Sequence, residues 1–224
     1  MIKKLQVLSL ALTIMSSQVY AEGNITEGKT KAASCASCHG EDGNSMVPTF
    51  PKLAGQHADY LANQLYAFKE NARNAPMMVP LAMGLDRESI QDIAAYYASQ
   101  KISTNQLPVI ESDEDEDNSN STTIDNNSET LDALMALGSD LYRNGNLKTN
   151  VSACIACHGP LAEGNKPSAF PALHSQHADY LIKSLTDFKK GIRNTQSDNM
   201  MSMIAGKMTD KEIQAVSYYV SMIK

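Results

Sequence analysis

The chain of 224 residues is acidic, with 25 aspartate and glutamate residues against 19 lysine and arginine residues and a formal charge of −6 at neutral pH. It contains no basic patch with interleaved aromatic residues, the usual sequence sign of nucleic-acid binding. Beyond the N-terminus no apolar run approaches the length of a membrane-spanning helix. We therefore expect no nucleic-acid partner and no transmembrane segment, which leaves peripheral association with a membrane surface open.

The first 21 residues have the pattern of a secretory signal peptide. Lys3 and Lys4 precede an apolar stretch, residues 5–14, that is too short to span a bilayer, and Val19-Tyr20-Ala21 ends the segment with small residues at its first and third positions. We predict cleavage after Ala21 and export of the remaining chain to the periplasm.

All four cysteines lie in two matching motifs, CASCHG from Cys35 and CIACHG from Cys154. A Cys-x-x-Cys-His run is the attachment signal for c-type haem. Two thiols one helical turn apart can each add to a porphyrin vinyl group, while the imidazole of the next residue reaches the iron. The sequence therefore predicts two covalently bound haem c groups. The attachment residues are Cys35, Cys38, Cys154 and Cys157, and the first axial ligands are His39 and His158.

The cysteines could in principle serve two other purposes. A redox-active Cys-x-x-Cys pair of the thioredoxin kind is expected in a βαβ setting, and no long stretch here alternates apolar residues with the period of a strand. Four cysteines could also bind zinc. A zinc site leaves unexplained why a histidine follows each pair and why the motif occurs twice.

The chain is an internal duplication. Residues 50–74 and 170–194 are identical at 14 of 25 positions with a constant offset of 120. We therefore predict two domains of similar structure, residues 22–105 and residues 131–224. Each is small for a self-sufficient apolar core, and a haem would supply much of the missing apolar volume.

The segment between the repeats differs sharply from both. Residues 111–129 hold 8 acidic and no basic residues and a single apolar one. Such a composition cannot bury a core, so we predict an acidic flexible linker over residues 106–130.

Helical periodicity dominates both domains and predicts an all-α fold. In the first repeat, Ala58, Leu61, Leu65 and Phe68 recur at helical spacing, and the second repeat has equivalent residues. Each domain closes with a further helix. We expect the first to begin at a cap formed by Asp86, and the second at a capping box formed by Thr209 and Glu212.

A second axial ligand is needed opposite each histidine, and histidine or methionine can serve. His57 and His177 occupy matching positions, but each opens an amphipathic helix where it could equally cap the helix, contact the other domain or meet solvent. Methionines also recur in pairs, in PMMVPLAMGL from Pro76 and NMMSMIAGKM from Asn199. Most of these methionines could instead fill the core.

The two Cys-x-x-Cys-His motifs, the repeated FPxLxxQHADYL segments, the FK and RN pairs that end the following helix, and the closing AAYYAS and VSYYVS helices together resemble the dihaem cytochromes of the cytochrome c4 type. The resemblance spans both repeats. It implies two tandem class I cytochrome c domains, each wrapped around one covalent haem. It also implies an exported carrier that takes electrons from a respiratory donor complex and delivers them to a terminal oxidase.

The resemblance also implies a ligand set. In the family pattern the second ligand lies seven residues before the apolar residue that precedes the last helix, which selects Met78 and Met201, with Met77 and Met200 as the runner-up pair. The proline of a Pro-x-Leu segment accepts a hydrogen bond from the proximal histidine in similar cytochromes, and Pro51 and Pro171 fit that role. Arg73 and Arg193 could reach haem propionates or could be solvated helix-end residues.

Two departures from the family pattern stand out. Ser175 replaces the glycine found at the matching position of the first repeat, where an unusual backbone angle is expected. The long acidic linker weakens the expectation that the two domains pack together.

The alternative function is a dihaem redox enzyme, such as a peroxidase or a sulfur-compound dehydrogenase, or its electron-transfer subunit.

Overall fold

A computed structural model describes residues 23–107, 123–193 and 199–224 of the chain. The predicted signal peptide, residues 1–21, lies outside these ranges. Within them the fold is all-α, as predicted, and extended pairing is limited to two isolated bridges, Asn146 with Val151 and Asn165 with Phe170. No helix in the described part of the chain combines the length and apolar character that crossing a membrane requires.

The first domain contains five α-helices and one short 3₁₀ turn over Ala32–Ser34. The helices are α1 (Ile25–Lys31), α2 (Ala36–His39), α3 (Ala58–Lys69), α4 (Met78–Met83) and α5 (Arg87–Ala98). Asp86 caps α5 as predicted, because its side chain accepts a hydrogen bond of 2.8 Å from the backbone N–H of Ser89.

The second domain repeats this arrangement with a longer first helix and a 3₁₀ turn over Lys166–Ser168. Its helices are α6 (Thr123–Asn144), α7 (Ile155–His158), α8 (Ala178–Lys189), α9 (Asn199–Ala205) and α10 (Asp210–Met222). The predicted capping box at Thr209 and Glu212 is present, with both reciprocal hydrogen bonds formed.

In both domains the first and last helices cross at a glycine. A Cβ atom added to Gly28 of α1 would lie 2.0 Å from the Asp92 carbonyl oxygen of α5. The same addition to Gly138 of α6 would lie 2.1 Å from the Ala215 carbonyl oxygen of α10. Only glycine allows the two backbones to approach this closely, so each crossing depends on one missing side chain.

The predicted linker is too long at its C-terminal end. Residues 108–122 lie outside the described ranges, but residues 123–130 belong to α6 rather than to a flexible segment. The physical reason is cooperativity: α6 is anchored by the buried side chains of Leu134, Leu141 and Tyr142, and adding turns to an existing helix costs far less than starting one.

Candidate haem-binding site

Each Cys-x-x-Cys-His motif forms a single helical turn. The first cysteine caps the turn and the histidine ends it, in α2 and again in α7. The next residue, Gly40 or Gly159, has a positive φ of 81° or 79° and turns the chain away. Both cysteines of each motif are therefore presented on one side of a short turn, as double attachment to a flat ring requires.

The two motif histidines are oriented by backbone carbonyls. His39 Nδ1 lies 2.9 Å from the Pro51 carbonyl oxygen, and His158 Nδ1 lies 3.0 Å from that of Pro171. A carbonyl can only accept, so Nδ1 carries the proton and Nε2 is left with a free lone pair. Burial lowers the pKa of both imidazoles, which keeps them neutral as metal binding requires. Pro51 and Pro171 thus make the contact that the resemblance implies.

A single continuous cavity of about 1270 Å³ reaches both motifs. All four cysteines and both motif histidines line it, together with apolar side chains from both domains. Among the latter are Leu61, Leu65, Phe68, Leu181, Leu185 and Phe188. A large flat apolar ring with two vinyl attachment points in each domain fits this lining, so the residues present suit two haem groups.

The methionine pairs border the same cavity, with the two members of each pair in different surroundings. Met78 and Met201 are half-buried at the starts of α4 and α9. Their neighbours Met77 and Met200 also line the cavity but are 63% and 47% exposed. A thioether that binds iron has to be held inward, and Met78 and Met201 are the better-sheltered members of the two pairs.

His57 and His177 are not among the residues that line the cavity. His177 Nε2 instead lies 2.8 Å from the carbonyl oxygen of Ser45 in the other domain. His57 is 8% exposed and begins α3 without a capping hydrogen bond from its side chain. This geometry favours the domain-contact interpretation of the two residues over iron ligation.

Cys35 and Cys154 have the wrong acidity for thiol–disulfide chemistry. Burial raises the pKa of the Cys154 thiol to about 11 and also raises that of Cys35. Redox-active thiols need the opposite shift, because the thiolate is the reacting species. Among the described residues no three or more Cys, His, Asp or Glu side chains gather as a metal-binding cluster.

The two domains are packed together through reciprocal contacts, contrary to the doubt that the long linker raised. The side chain of Gln56 accepts from Ala172 N–H at 2.9 Å and donates to the Ala172 carbonyl at 2.8 Å. In the same way, the side chain of Gln176 accepts a hydrogen bond from the Lys52 N–H at 2.8 Å and donates one to the Lys52 carbonyl at 2.9 Å. All four positions are related by the repeat offset of 120, so one repeated glutamine produces both halves of the interface.

An arginine–tyrosine network extends this symmetry to the cavity wall. Arg73 donates to the Tyr180 hydroxyl at 3.2 Å, and Arg193 donates to the Tyr60 hydroxyl at 2.8 Å. Gln64 accepts from both arginines, at 2.6 and 3.1 Å. Burial raises the pKa of Tyr180, but the charges of Arg73 and Arg193 outweigh that effect and lower it to about 7. The two guanidiniums therefore place positive charge where the interface meets the cavity.

Ser175 adopts the glycine-like backbone angle expected at its position, with φ of 54° against 68° at Gly55. Its backbone N–H and its hydroxyl both donate to the Ile223 carbonyl at 3.0 Å. These two hydrogen bonds offset the backbone strain of a serine in the left-handed region. The bond from the hydroxyl is one that a glycine at this position could not form.

Two Cys-x-x-Cys-His turns, each with a carbonyl-oriented histidine and a sheltered methionine on a shared apolar cavity, define a two-domain c-type cytochrome. The chain matches the cytochrome c family over residues 25–101 and 135–224. It is 38% identical to cytochrome c4 of Pseudomonas aeruginosa over 95% of both chains, and 39% identical to that of Thiocapsa roseopersicina over 88% of this chain and 91% of the relative. The chain belongs to the cytochrome c family, in its dihaem cytochrome c4 branch.

A solved structure agrees with this assignment. Reduced recombinant cytochrome c4 from Pseudomonas stutzeri superposes with a TM-score of 0.76 at 35% identity, covering 90% of this chain and all of that one. A second kind of relative, a thiosulfate dehydrogenase electron acceptor from Stutzerimonas stutzeri, is 32% identical over 90% of this chain and 83% of its own length. The protein is a dihaem electron carrier with one covalent haem c in each domain.

Proposed function

We propose that the protein works in the periplasm and carries electrons from a respiratory donor complex to a terminal oxidase, with both irons ligated by one histidine and one methionine. The observation that supports this proposal is the repetition of the predicted ligand residues. His39 with Met78, and His158 with Met201, border the same cavity in matching positions. When both axial positions are taken by protein side chains, no position is left for a substrate, as suits a carrier.

The chain's own residues have three tasks in this function. Haem iron supplies the one-electron chemistry. The hydrogen bonds from His39 to Pro51 and from His158 to Pro171 fix ring orientation and tautomer. The thioethers of Met78 and Met201 would be soft ligands that favour the ferrous state and raise the reduction potential. The apolar side chains of the cavity wall would give both haems surroundings of low polarity.

The arginines at the interface give the cavity its positive charge. Arg73 and Arg193 both line the cavity, and each guanidinium lies over a phenylalanine ring of its own domain, 4.7 Å from Phe68 and 4.4 Å from Phe188. We assign the two arginines to neutralising haem propionates, which are the anionic groups that a haem would bring to this interface.

A second function is favoured by a specific observation, the similarity to electron acceptors of thiosulfate dehydrogenase. A thiosulfate dehydrogenase from Marichromatium purpuratum also superposes, with a TM-score of 0.71 at 28% identity, over 88% of this chain and 40% of that one. In this alternative the chain receives electrons from a sulfur-compound dehydrogenase. It would still be a carrier, because catalysis itself needs an open iron position.

Stopped-flow mixing of the purified, reduced holoprotein with a purified terminal oxidase tests the proposal. Rapid, salt-dependent oxidation of both haems is the expected result, since redox partners meet through small transient interfaces. Slow oxidation by the oxidase, combined with rapid reduction by a thiosulfate dehydrogenase in the presence of thiosulfate, would favour the alternative. Reaction of the ferrous protein with carbon monoxide would indicate an open iron and an enzyme.

A further inference from the structure

The start of the connecting segment is fastened to the first domain. Asn44 accepts a hydrogen bond of 2.8 Å from the backbone N–H of Ser103 and donates one of 3.0 Å to the carbonyl of Lys101. Residues 101–103 are therefore held beside the loop that follows the first Cys-x-x-Cys-His motif, just before the acidic segment begins.

Lys52 strengthens this attachment from inside the interface. Its side chain donates 2.7 Å hydrogen bonds to the Ser103 carbonyl and to the Asn105 side-chain oxygen. Lys52 is only 4% exposed, and both of these acceptors are uncharged oxygens. A buried ammonium is costly, so its retention at this place calls for a role beyond packing.

Asn105 forms the other end of the contact. Its amide nitrogen lies 3.0 Å from the Ser175 carbonyl oxygen, 2.9 Å from that of Gln176 and 3.0 Å from that of Ser221, all in the second domain. Its oxygen meanwhile accepts from Lys52 in the first domain. The Asn105 side chain thus joins the two domains: its amide nitrogen contacts the second domain and its amide oxygen contacts the first.

The duplication does not account for this contact. The glutamine contacts come in symmetric pairs because both repeats carry them, whereas position 172, which matches Lys52, is alanine. Lys52 and Asn105 are therefore an asymmetric addition to an otherwise twofold interface.

We propose that Lys52 and Asn105 form a docking clamp that fixes the distance and orientation of the two haem domains. The clamp acts on the relative placement of the two haem sites and not on either iron. Lys52 and Asn105 are therefore positioning residues for electron exchange between the domains. With the clamp formed, the chain is held to both domains as far as Asn105. The length of the acidic segment that follows then does not set the separation of the two domains.

The test uses the full-length holoprotein, and it rests on the dihaem assignment but not on any particular partner. Two haems held at a fixed mutual orientation give a coupled, two-signed circular-dichroism signal in their strongest absorption band. Urea titration of that signal reports undocking, while far-ultraviolet circular dichroism reports the helices. Asn105→Ala should shift the docking equilibrium roughly tenfold toward the undocked state, because the two amide N–H groups shared among three second-domain carbonyls are lost together with the acceptor for Lys52. The coupled signal should then vanish at lower urea than in the unmodified protein, with the helical transition little changed.

Two further variants make the result decisive. Gln106→Ala alters the exposed neighbouring residue and should leave both transitions in place. Asn105→Leu keeps the approximate size of the side chain but removes both its donors and its acceptor for Lys52, so it should undock at least as readily as Asn105→Ala. If Asn105→Ala loses its helices without urea, Asn105→Leu decides the matter. Coincident undocking of Asn105→Leu and Gln106→Ala would overturn the proposal. Failure to react with an oxidase would count only against the proposed function.

Discussion

At the scale of single residues, the two members of each methionine pair have different environments although they are adjacent in sequence. Met78 is held half-buried on α4, while Met77 precedes that helix and is 63% exposed. Met201 is likewise half-buried while Met200 is 47% exposed, although both lie in α9. A sulfur that binds iron has to be sheltered beside the cavity, and the inner member of each pair is the more sheltered one.

Replacing Met78 or Met201 by alanine should therefore convert one haem, and only one, to a high-spin or misligated form. Optical absorption and electron paramagnetic resonance spectra would detect this change. A thioether removed from the iron should also lower the reduction potential of that haem. Met77→Ala and Met200→Ala are the matched controls and should keep low-spin spectra. High-spin spectra in the controls and not in the inner variants would move the ligand by one residue.

Much of the residue-scale picture could be predicted from the sequence. The four cysteines and two histidines are local motifs, and Pro51 and Pro171 follow from the family pattern. The crossing glycines could not be found in the same way. Gly28 and Gly138 lie outside the strongly repeated segment, and their importance comes from backbone atoms of a helix more than 60 residues away in each case. No local pattern encodes a contact over that distance.

At the scale of helices, the crossings of α1 with α5 and of α6 with α10 depend on the missing side chain. Gly28→Ala would place a methyl group 2.0 Å from the Asp92 carbonyl oxygen, so the helices would have to separate. Overpacking of this kind costs about 1–3 kcal/mol. Urea unfolding should show that loss for Gly28→Ala. The control Gly84→Ala, where a methyl group meets nothing within 4 Å, should unfold at nearly unchanged urea. Equal midpoints for the two variants would contradict the crossing argument.

The interface helices carry histidines whose ionisation opposes folding. Burial lowers the pKa of His57 and His177 from the ordinary value of 6.5, although the Ser45 carbonyl and Asp179 act in the opposite direction on His177. Nearby Lys52 adds to the lowering at His177, as Lys166 and His174 do at His57. The unfolded chain therefore binds more protons just below pH 6.5, so stability falls as the pH drops through that range.

Urea unfolding of the holoprotein at pH 7.5 and pH 5.5 should therefore show lower stability at the lower pH. His177→Gln keeps a side-chain N–H for the Ser45 carbonyl but cannot take up a proton, so this variant should lose part of the pH dependence. His57→Gln provides the matching measurement in the other domain. An undiminished pH dependence in both variants would place the effect in other groups.

Prediction from sequence was weakest for the packing of elements. The helices α3, α5, α8 and α10, both caps and the repeat can be predicted because each depends on residues close together in the chain, whereas α4 and α9 were not predicted. The composition of the linker suggests a loose tether and gives no indication of the domain interface. The signal that could have revealed it is the pair of repeated glutamines, Gln56 and Gln176, beside repeated tyrosines at Tyr60 and Tyr180. Gln56 and Gln176 lie just before α3 and α8, and Tyr60 and Tyr180 lie in the first turns of these helices. Polar residues repeated at the same place in both domains, and not needed to build either one, point to a partner surface.

At the scale of the whole molecule, both ligand sets border one continuous cavity, and the domain interface is held by the reciprocal glutamines. The asymmetry between the domains lies in their charge. Residues 22–110 hold 9 acidic and 7 basic residues, whereas residues 130–224 hold 8 acidic and 10 basic residues. Because Arg73 and Arg193 both lie at the interface, much of their effect is shared by the two haem sites. The remaining surface charge still distinguishes one domain from the other.

An electron arriving at a haem adds negative charge, so the more basic second domain should be easier to reduce. A difference of four charges acting through a largely aqueous medium and screened by salt amounts to about 1 kcal/mol or less. For a one-electron couple, where 59 mV corresponds to a tenfold change, that is a few tens of millivolts. We expect the haem bound by His158 to have the higher potential and to receive electrons from the haem bound by His39. Redox titration of the intact holoprotein, with the two haems told apart by the Met78→Ala and Met201→Ala spectra, measures the order. The gap should shrink at high salt, and a higher potential in the first domain would refute the charge argument.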